Sequence, residues 1–465
     1  MTTQFDLMVV GGGPGGYVAA IRAAQLGFKT ALVEREHLGG ICLNWGCIPT
    51  KALLRGAEVA HTFQNAETFG FSVDNLRFDI GKLVRHSRAV ADRLSQGIGY
   101  LMKKNGIAVI EGDAKVSDKC ELTVTDNKGA ERVYKADHII LATGARPRSL
   151  PGIPIDGDRV WGSREAMIPD ALPERLLVIG AGAIGVEFAS LYGDLGSDVT
   201  LVEAVDRILP MEDPEISAFA HETFKRRGID IHTGTTVDNL KTGDNEVTAS
   251  LKGPAGEQTL TVDRVILAVG ITGNIDNLGL EDLGVATDRG FITTTENCRT
   301  NLVGLYAIGD VAGPPWLAHK ASHEAVYCVE RIAGVEGAHP LDKTRIPACT
   351  YCRPQVASVG LTEEQARAGG HTLRIGRFRL SANGKALAIA DSEGLVKTVF
   401  DDATGELLGA HMIGPEVTEQ IQGFGIARQM EATEAELMHT VFAHPTLSES
   451  MHEAVLDSLG IAIHQ

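Results

Sequence analysis

Apolar and polar positions alternate in blocks along the first 35 residues. Phe5–Val10 is a largely apolar run of the length of a buried strand. Gly11–Gly16 follows, then a helical stretch over Tyr17–Leu26, then a second apolar run at Thr30–Glu34. Strand, glycine turn, helix and strand in that order predict a β-α-β unit. The same pattern returns downstream as Arg175–Ile179, Gly180–Gly185, Val186–Leu195 and Asp198–Glu203. Two copies imply two separate nucleotide-binding domains.

Further apolar runs end in glycine. His138–Ala142 leads into Thr143-Gly144, Val265–Val269 into Gly270, and Leu305–Ile308 into Gly309-Asp310. Near Ile346 the texture changes to β-like alternation, over Gln355–Gly360 and Thr372–Leu380. A strand–turn–strand over Leu395–Gly414 turns near Asp401–Gly405, and helices are predicted over Glu416–Met430 and Leu447–Leu459. The expected fold class is α/β, with two Rossmann-like dinucleotide-binding domains and a C-terminal α+β domain. The expected boundaries are 1–148, 149–272, a central segment 273–345 that completes the first site, and 346–465.

Each glycine turn has the form Gly-x-Gly-x-x-Gly. In Gly11, Gly13 and Gly16, the first residue makes the tight turn and the second lets a diphosphate approach the backbone. The third lets helix and strand pack closely, while the helix N-terminus favours phosphate charge. Alone the pattern is weak, but its flanks are right. Glu34 lies eighteen positions after Gly16, where a carboxylate can accept hydrogen bonds from ribose hydroxyls. Gly180, Gly182 and Gly185 repeat the logic, with Glu203 at the same spacing. A glutamate there repels a 2′-phosphate. Ala204 adds no cation and Arg207 is expected to face solvent, so NAD is preferred to NADP. Gly309-Asp310 could offer its carboxylate to the ribityl hydroxyls of a flavin, a signal that draws force only from its context.

Cys42-Leu-Asn-Trp-Gly-Cys47 follows the first unit. Five residues of straight helix advance ~7.5 Å. Disulfide-bonded Cα atoms lie within ~7 Å, so the helix must break if the two bond. Asn44 and Gly46 are turn formers, and Pro49 suits the first turn of a following helix. Cys47 would then lie at a helix N-terminus, which stabilises a thiolate. A reactive pair is the favoured reading. Two packed thiols and a zinc site are the alternatives.

Composition narrows the field. A net charge of −17 disfavours nucleic acid and anionic membranes as partners. Seven cysteines are few and odd in number, unlike a secreted disulfide scaffold. No apolar run reaches the ~18 residues of a membrane span. The chain runs straight from Met1 into Phe5–Val10 without a basic leader, so a cytoplasmic enzyme is expected. Cys349-x-x-Cys352 has metal-like spacing but no second pair. Two half-buried thiols in a strand, with no metal, are expected there.

Gly39-Gly40-x-Cys42-x-Asn44-x-Gly46-Cys47-Ile48-Pro49-x-Lys51 resembles the active-site signature of the pyridine nucleotide–disulfide oxidoreductases. His444-Pro445-Thr446-Leu447-Ser448-Glu449 resembles their C-terminal acid/base motif, and Ala318-His319-Lys320 and Gln355–Thr362 also match. The resemblance covers essentially the whole chain. It is nearest to the members that reoxidise a protein-bound dihydrolipoyl group with NAD⁺ through FAD. It implies a homodimer that works with the lipoyl domains and acyltransferase core of a 2-oxo acid dehydrogenase complex, or with the lipoyl carrier protein of the glycine cleavage system. Cys42 would exchange with the substrate dithiol, and Cys47 would be the charge-transfer thiol against the flavin. Lys51 would sit near the reactive flavin nitrogen with Glu187 as its carboxylate partner. Ala114 would contact the adenine of FAD, Asp310 its ribityl chain and Ala318 its ring side; Thr143 and Gly144 join these FAD candidates. Val237 and Gly270 would belong to the NAD site. His444 would be the base, oriented by Glu449, serving the other subunit.

Three positions depart from the family pattern. Ile271 stands where arginine is common, Phe442 where histidine is common, and Cys349 and Cys352 replace more usual residues. The first puts one polar contact near the nicotinamide in doubt, and the second a local proton relay. The rivals are a glutathione-reductase-like enzyme using NADPH, and a structural subunit of a complex.

Overall fold

The computed structural model describes residues 3–464. They divide into two compact units. One comprises residues 3–52, 82–148 and 270–341; the other comprises 53–81, 149–269 and 342–464.

The first unit is built on a seven-stranded sheet. Its order is Ala108–Glu111, Thr30–Glu34, Thr3–Val10, Glu131–Leu141, Glu121–Thr125 and Asp113–Asp118, with Leu305–Ala307 also paired to Glu131–Leu141. The central strands are parallel, with Leu7 opposite Thr30 and Val10 opposite Leu141. Met8 and Val10 enter one apolar cluster, and Leu7 and Val9 enter the other. Burial on both faces explains why Phe5–Val10 reads as a nearly continuous apolar run. Each fully buried aliphatic side chain contributes about 1.5–3 kcal/mol. The helix Pro14–Gln25 buries Ala19, Ala20 and Ala23 against the sheet, and packs on the helix Ala318–Ala333.

The second unit holds three sheets. Its parallel sheet runs Asp230–His232, Asp198–Val202, Arg175–Ile179, Arg264–Leu267 and Val160–Trp161. Its first four strands have the arrangement of the parallel core of the first unit. A three-stranded meander spans Thr236–Val262. The third sheet is antiparallel: Ala348–Thr350, Gln355–Gly360, Leu407–Gly414, Leu395–Asp401 and Leu373–Arg379. Helices Val417–Gln429 and Glu449–Ser458 cover it, leaving both strands of the Leu395–Gly414 hairpin fully buried.

That burial encloses charge. The Lys397 ammonium lies 2.9 Å from Asp213, 3.1 Å from Glu215 and 2.8 Å from Glu363. Beside it, burial pushes the Glu212 carboxyl up to about 7, aided by the nearby Asp213 charge and opposed by a bond from Ser358. Its Oε2 has no hydrogen-bond partner. A carboxyl raised in the folded state binds its proton more tightly there than in the unfolded chain. Its contribution to stability is therefore present at acid pH and is lost as pH rises from the ordinary carboxylate range through about 7. Glu212→Gln removes this dependence. The variant should match the native protein near pH 4.5 and gain on the order of 2–3 kcal/mol by pH 8. Melting curves of the two that stay parallel across this range would contradict it.

Candidate active site and cofactor sites

The two glycine turns are near copies. Gly11 and Gly180 both have φ of +100°, and a Cβ on either would stand 2.4 Å from a carbonyl oxygen, of Ala142 or Ala268. A Cβ on Gly16 or Gly185 would stand 1.7 or 1.8 Å from the oxygen of Gly11 or Gly180. The middle glycines differ: a Cβ on Gly182 would meet nothing within 4 Å, and one on Gly13 only Gly40 Cα at 3.9 Å. The space left there suits a diphosphate. Gly13 and Gly182 are the N-caps of Pro14–Gln25 and Ala183–Leu195, and neither helix has a side-chain cap or an acidic residue in its first turn. Elsewhere Asp213, Thr362 and Thr433 cap helices with their side chains. The two fingerprint helices thus keep their N-terminal N–H groups for an anion.

Glu34 accepts hydrogen bonds from the N–H of Gly12 at 2.6 Å and Glu36 at 2.8 Å. Glu203 does the same with Ala181 at 2.7 Å and Val205 at 3.0 Å. Each carboxylate is fixed beside its glycine turn. Arg207 does not simply face solvent, as the sequence suggested. It is half-buried and pairs with Glu364 at 3.7 Å, which engages its charge. The Glu203 charge facing a 2′-phosphate is worth about 1–3 kcal/mol, or ~5–150-fold. NADH should be preferred to NADPH by that factor in kcat/KM, and equal values would contradict the assignment.

The remaining flavin-side candidates lie in the first unit. Asp310 is the second residue of a single 3₁₀ turn, Gly309–Ala312, beyond the strand Leu305–Ala307. Burial raises its carboxyl, which accepts no hydrogen bond from the described residues. A ribityl hydroxyl would satisfy it. Lys320, in the Ala318-His319-Lys320 motif, has a wholly buried ammonium that donates to the carbonyls of Gly309 at 3.0 Å and Gly313 at 2.9 Å. Glu324 accepts from the Gly309 N–H at 2.8 Å. Ala318 starts the helix that carries both. The Thr143 hydroxyl donates to the Asn274 carbonyl at 2.8 Å, and the Thr143 carbonyl accepts from Asn274 Nδ2 at 2.9 Å. Gly144 and Gly270 have φ of +71° and +100° with open space at Cβ, and Ala114 sits in the strand Asp113–Asp118. In the second unit, Val237 packs half-buried beside the apolar cluster of Ile179 and Val202.

The cysteine segment breaks where the geometry requires. A short helix, Gly40–Trp45, ends at Gly46, and a new helix, Cys47–Gln64, begins at Cys47. The two sulfurs are 2.6 Å apart, with Cys42 donating to Cys47. That bond, then burial, pushes the Cys42 thiol far above the ordinary range, although Lys51 opposes the shift. Cys42 thus holds the proton of the reduced pair. Cys47, at the start of a helix, is suited to be the thiolate. Burial raises the nearby Tyr17 hydroxyl, and the sulfurs of the pair add to the shift.

In the second unit, His444 Nδ1 lies 2.8 Å from Glu449 Oε1, and Glu449 Oε2 accepts from the Thr446 N–H at 2.8 Å. Those two bonds outweigh burial and hold the Glu449 carboxyl below its usual range. The His444–Pro445 peptide is cis. The imidazole is 78% exposed, so its Nε2 can reach an external group. Phe442 stacks on His452 at 5.2 Å. Glu187 is buried and accepts from the Tyr351 N–H at 2.8 Å; Lys51 lies one turn after Cys47 in the other unit. The expectation of two half-buried strand thiols needs correction. Cys349 is half-buried in Ala348–Thr350, but Cys352 is fully buried beyond the strand end, with Sγ 3.1 Å from the Pro354 carbonyl. Among the described residues no group of three His, Cys, Asp or Glu side chains could hold a metal ion. None of their helices is long and apolar enough to cross a membrane.

Residues 5–325 match the pyridine nucleotide-disulphide oxidoreductase model, and residues 346–455 match the dimerisation domain of the same family. The chain belongs to that family. Pyridine nucleotide-disulphide oxidoreductases of this kind use FAD and NAD, and these are its cofactors. The chain is 54% identical to the dihydrolipoyl dehydrogenase of Rhizobium etli, over 99% of each chain. It is also 54% identical to that of Zymomonas mobilis, over the full length of both. Among solved structures, LpdA from Mycobacterium tuberculosis superposes with a TM-score of 0.90 at 28% identity, over 98% of this chain and 99% of that one. The HOCl-induced flavoprotein disulfide reductase RclA of Escherichia coli, as its Cu(II) complex, gives 0.88 at 26% identity, over 98% and 99%.

Proposed function

We propose that this chain is a dihydrolipoyl dehydrogenase, oxidising protein-bound dihydrolipoamide with NAD⁺. The observation that carries the reading is the Cys42–Cys47 pair, with sulfurs 2.6 Å apart and Cys47 opening a helix, in a chain with two nucleotide folds. Full-length identity of 54% to proteins of that name supports it.

His444, oriented by Glu449, accepts a proton from one substrate thiol. The thiolate attacks Cys42 Sγ, the Cys42–Cys47 bond breaks, and Cys47 leaves as the thiolate. The second substrate thiol attacks the mixed disulfide, which releases lipoamide and Cys42 as a thiol. When bound, FAD supplies a two-electron carrier between the dithiol and NAD⁺. Lys51 and Glu187 set the charge near the flavin. Gly11, Gly13, Gly16, Glu34, Ala114, Thr143, Gly144, Asp310 and Ala318 hold FAD; Gly180, Gly182, Gly185, Glu203, Val237 and Gly270 hold NAD.

The working form is a homodimer in which His444 serves the partner subunit's Cys42. It acts in the cytoplasm beside the lipoyl domains and acyltransferase core of a 2-oxo acid dehydrogenase complex, or beside a lipoyl carrier protein. The functional segments are 1–148, 149–272, 273–345 and 346–465. Steady-state assay tests the activity: lipoamide-dependent NADH oxidation should far exceed that with oxidised glutathione. A preference for glutathione and NADPH would replace this reading with the reductase alternative.

A further inference from the structure

The segment between the two cysteines is held from outside by one helix of the same unit, Ile80–Lys104. Its Arg88 donates through Nη1 to the Asn44 carbonyl, and its guanidinium lies 3.9 Å from the centre of the Trp45 ring. The preceding residue, buried Ser87, donates to the Pro49 carbonyl at 2.9 Å. Farther along, Ser95 donates to the Leu38 carbonyl at 2.8 Å. The helix therefore grips both sides of the Gly46 break. One contact falls on the end of Gly40–Trp45 and one on the first turn of Cys47–Gln64.

The contacts suit their positions. The last carbonyls of a helix have no partner within it. A planar guanidinium can bond such a carbonyl while stacking on an indole, which an ammonium cannot do as well. Asn44 is held too, its Nδ2 donating to Leu38 and Gly40 carbonyls at 3.0 and 2.9 Å. The chain is thus held on both sides of Gly46, at Asn44 and Trp45 before it and at Pro49 after it, and glycine is the residue about which the two sulfurs could otherwise swing apart.

We propose that Arg88, with Trp45 as its platform and Ser87 beside it, is a positioning residue for the Cys42–Cys47 pair. It keeps the two sulfurs in bonding range through the reduced state, so that the disulfide re-forms readily. This rests on the reading of Cys42 and Cys47 as the redox pair. Loosening the splint lowers the effective concentration of one thiol at the other. That favours the dithiol and raises the potential of the couple.

The test uses the FAD-bound enzyme, titrated anaerobically in defined dihydrolipoamide/lipoamide mixtures. Arg88→Gln and Trp45→Ala should each lower the equilibrium constant for disulfide formation about three- to tenfold, equivalent to a rise of about 15–30 mV. Arg88→Lys, which keeps the charge but loses the planar stack, should fall between Arg88→Gln and the native enzyme. Variants that bind FAD less tightly or melt earlier, yet keep the native dithiol potential, would show a merely structural role and overturn the proposal. If Arg88→Gln does not accumulate as a flavoprotein, Trp45→Ala and Ser87→Ala decide: a shift in either supports it, and native potentials in both overturn it. The native enzyme should take up four electrons per FAD, two of them in the dithiol. Uptake of only two would remove the redox-pair reading, and this inference with it.

Discussion

Replacing either Cys42 or Cys47 by serine should lower dihydrolipoamide turnover on the order of 10³-fold or more. A nucleophile or its leaving partner has no substitute in the chain. The two variants should differ in colour. In the reduced pair Cys42 holds the shared proton, because its half-buried sulfur donates to Cys47. Cys47 begins the helix Cys47–Gln64. Cys42→Ser therefore leaves a Cys47 thiolate beside oxidised flavin, and a long-wavelength absorption band should be present without reductant. Cys47→Ser removes the sulfur placed at the helix start and should lack the band. NADH oxidation by an artificial acceptor should stay within a few-fold of native in both, since neither glycine turn is touched. Bands of equal strength in the two variants would contradict the assigned roles.

Activity should reappear when two inactive proteins are combined. His444→Gln should lower turnover about 10²–10⁴-fold, the range of a general base. Paired with Cys47→Ser in one dimer, it tests which subunit His444 serves. If each site combines the cysteines of one subunit with the histidine of the other, one site of the mixed dimer carries both defects and the other carries none. Doubly tagged, doubly purified mixed dimers should then recover about half of native turnover. If His444 serves its own subunit, every site has one defect. Mixed dimers that bind FAD and remain as inactive as their parents would exclude the shared site.

Much of this site was legible in the sequence because its chemistry rests on backbone constraints. Gly11, Gly16, Gly180 and Gly185 cannot carry a side chain without striking a carbonyl oxygen, so turn geometry and residue type are locked together. Gly46 and Pro49 marked the helix break for the same reason. The Leu395–Gly414 hairpin was readable from its apolar runs and the turn at Asp401–Gly405. The 25-residue helix Ile80–Lys104 was missed although its period was there to read: Ile80, Leu83, Ser87, Ala91, Leu94, Ile98 and Met102 recur at helical spacing. The meander Thr236–Val262 was missed because Thr236–Thr242 and most of Gly256–Val262 are exposed or half-exposed, which leaves little alternation to read. Arg88 could not be found from sequence. Its partners Asn44 and Trp45 lie more than forty positions away, and an arginine on a mainly polar helix carries no local mark. Asn44 and Trp45 themselves were visible in the cysteine motif, as Lys320 was in Ala318-His319-Lys320. What each of them holds was not visible.

Electrons from a dithiol should enter through a disulfide between Cys42 and Cys47. Differential alkylation with peptide mass spectrometry tests it most directly. In the air-oxidised, FAD-bound protein, denatured under a first alkylating reagent, both residues should be protected while the other five cysteines are labelled. After anaerobic addition of one equivalent of dihydrolipoamide per FAD, both should accept that reagent. Labelling of Cys42 and Cys47 in the oxidised protein to the same extent as the other five, unchanged by dihydrolipoamide, would contradict the account.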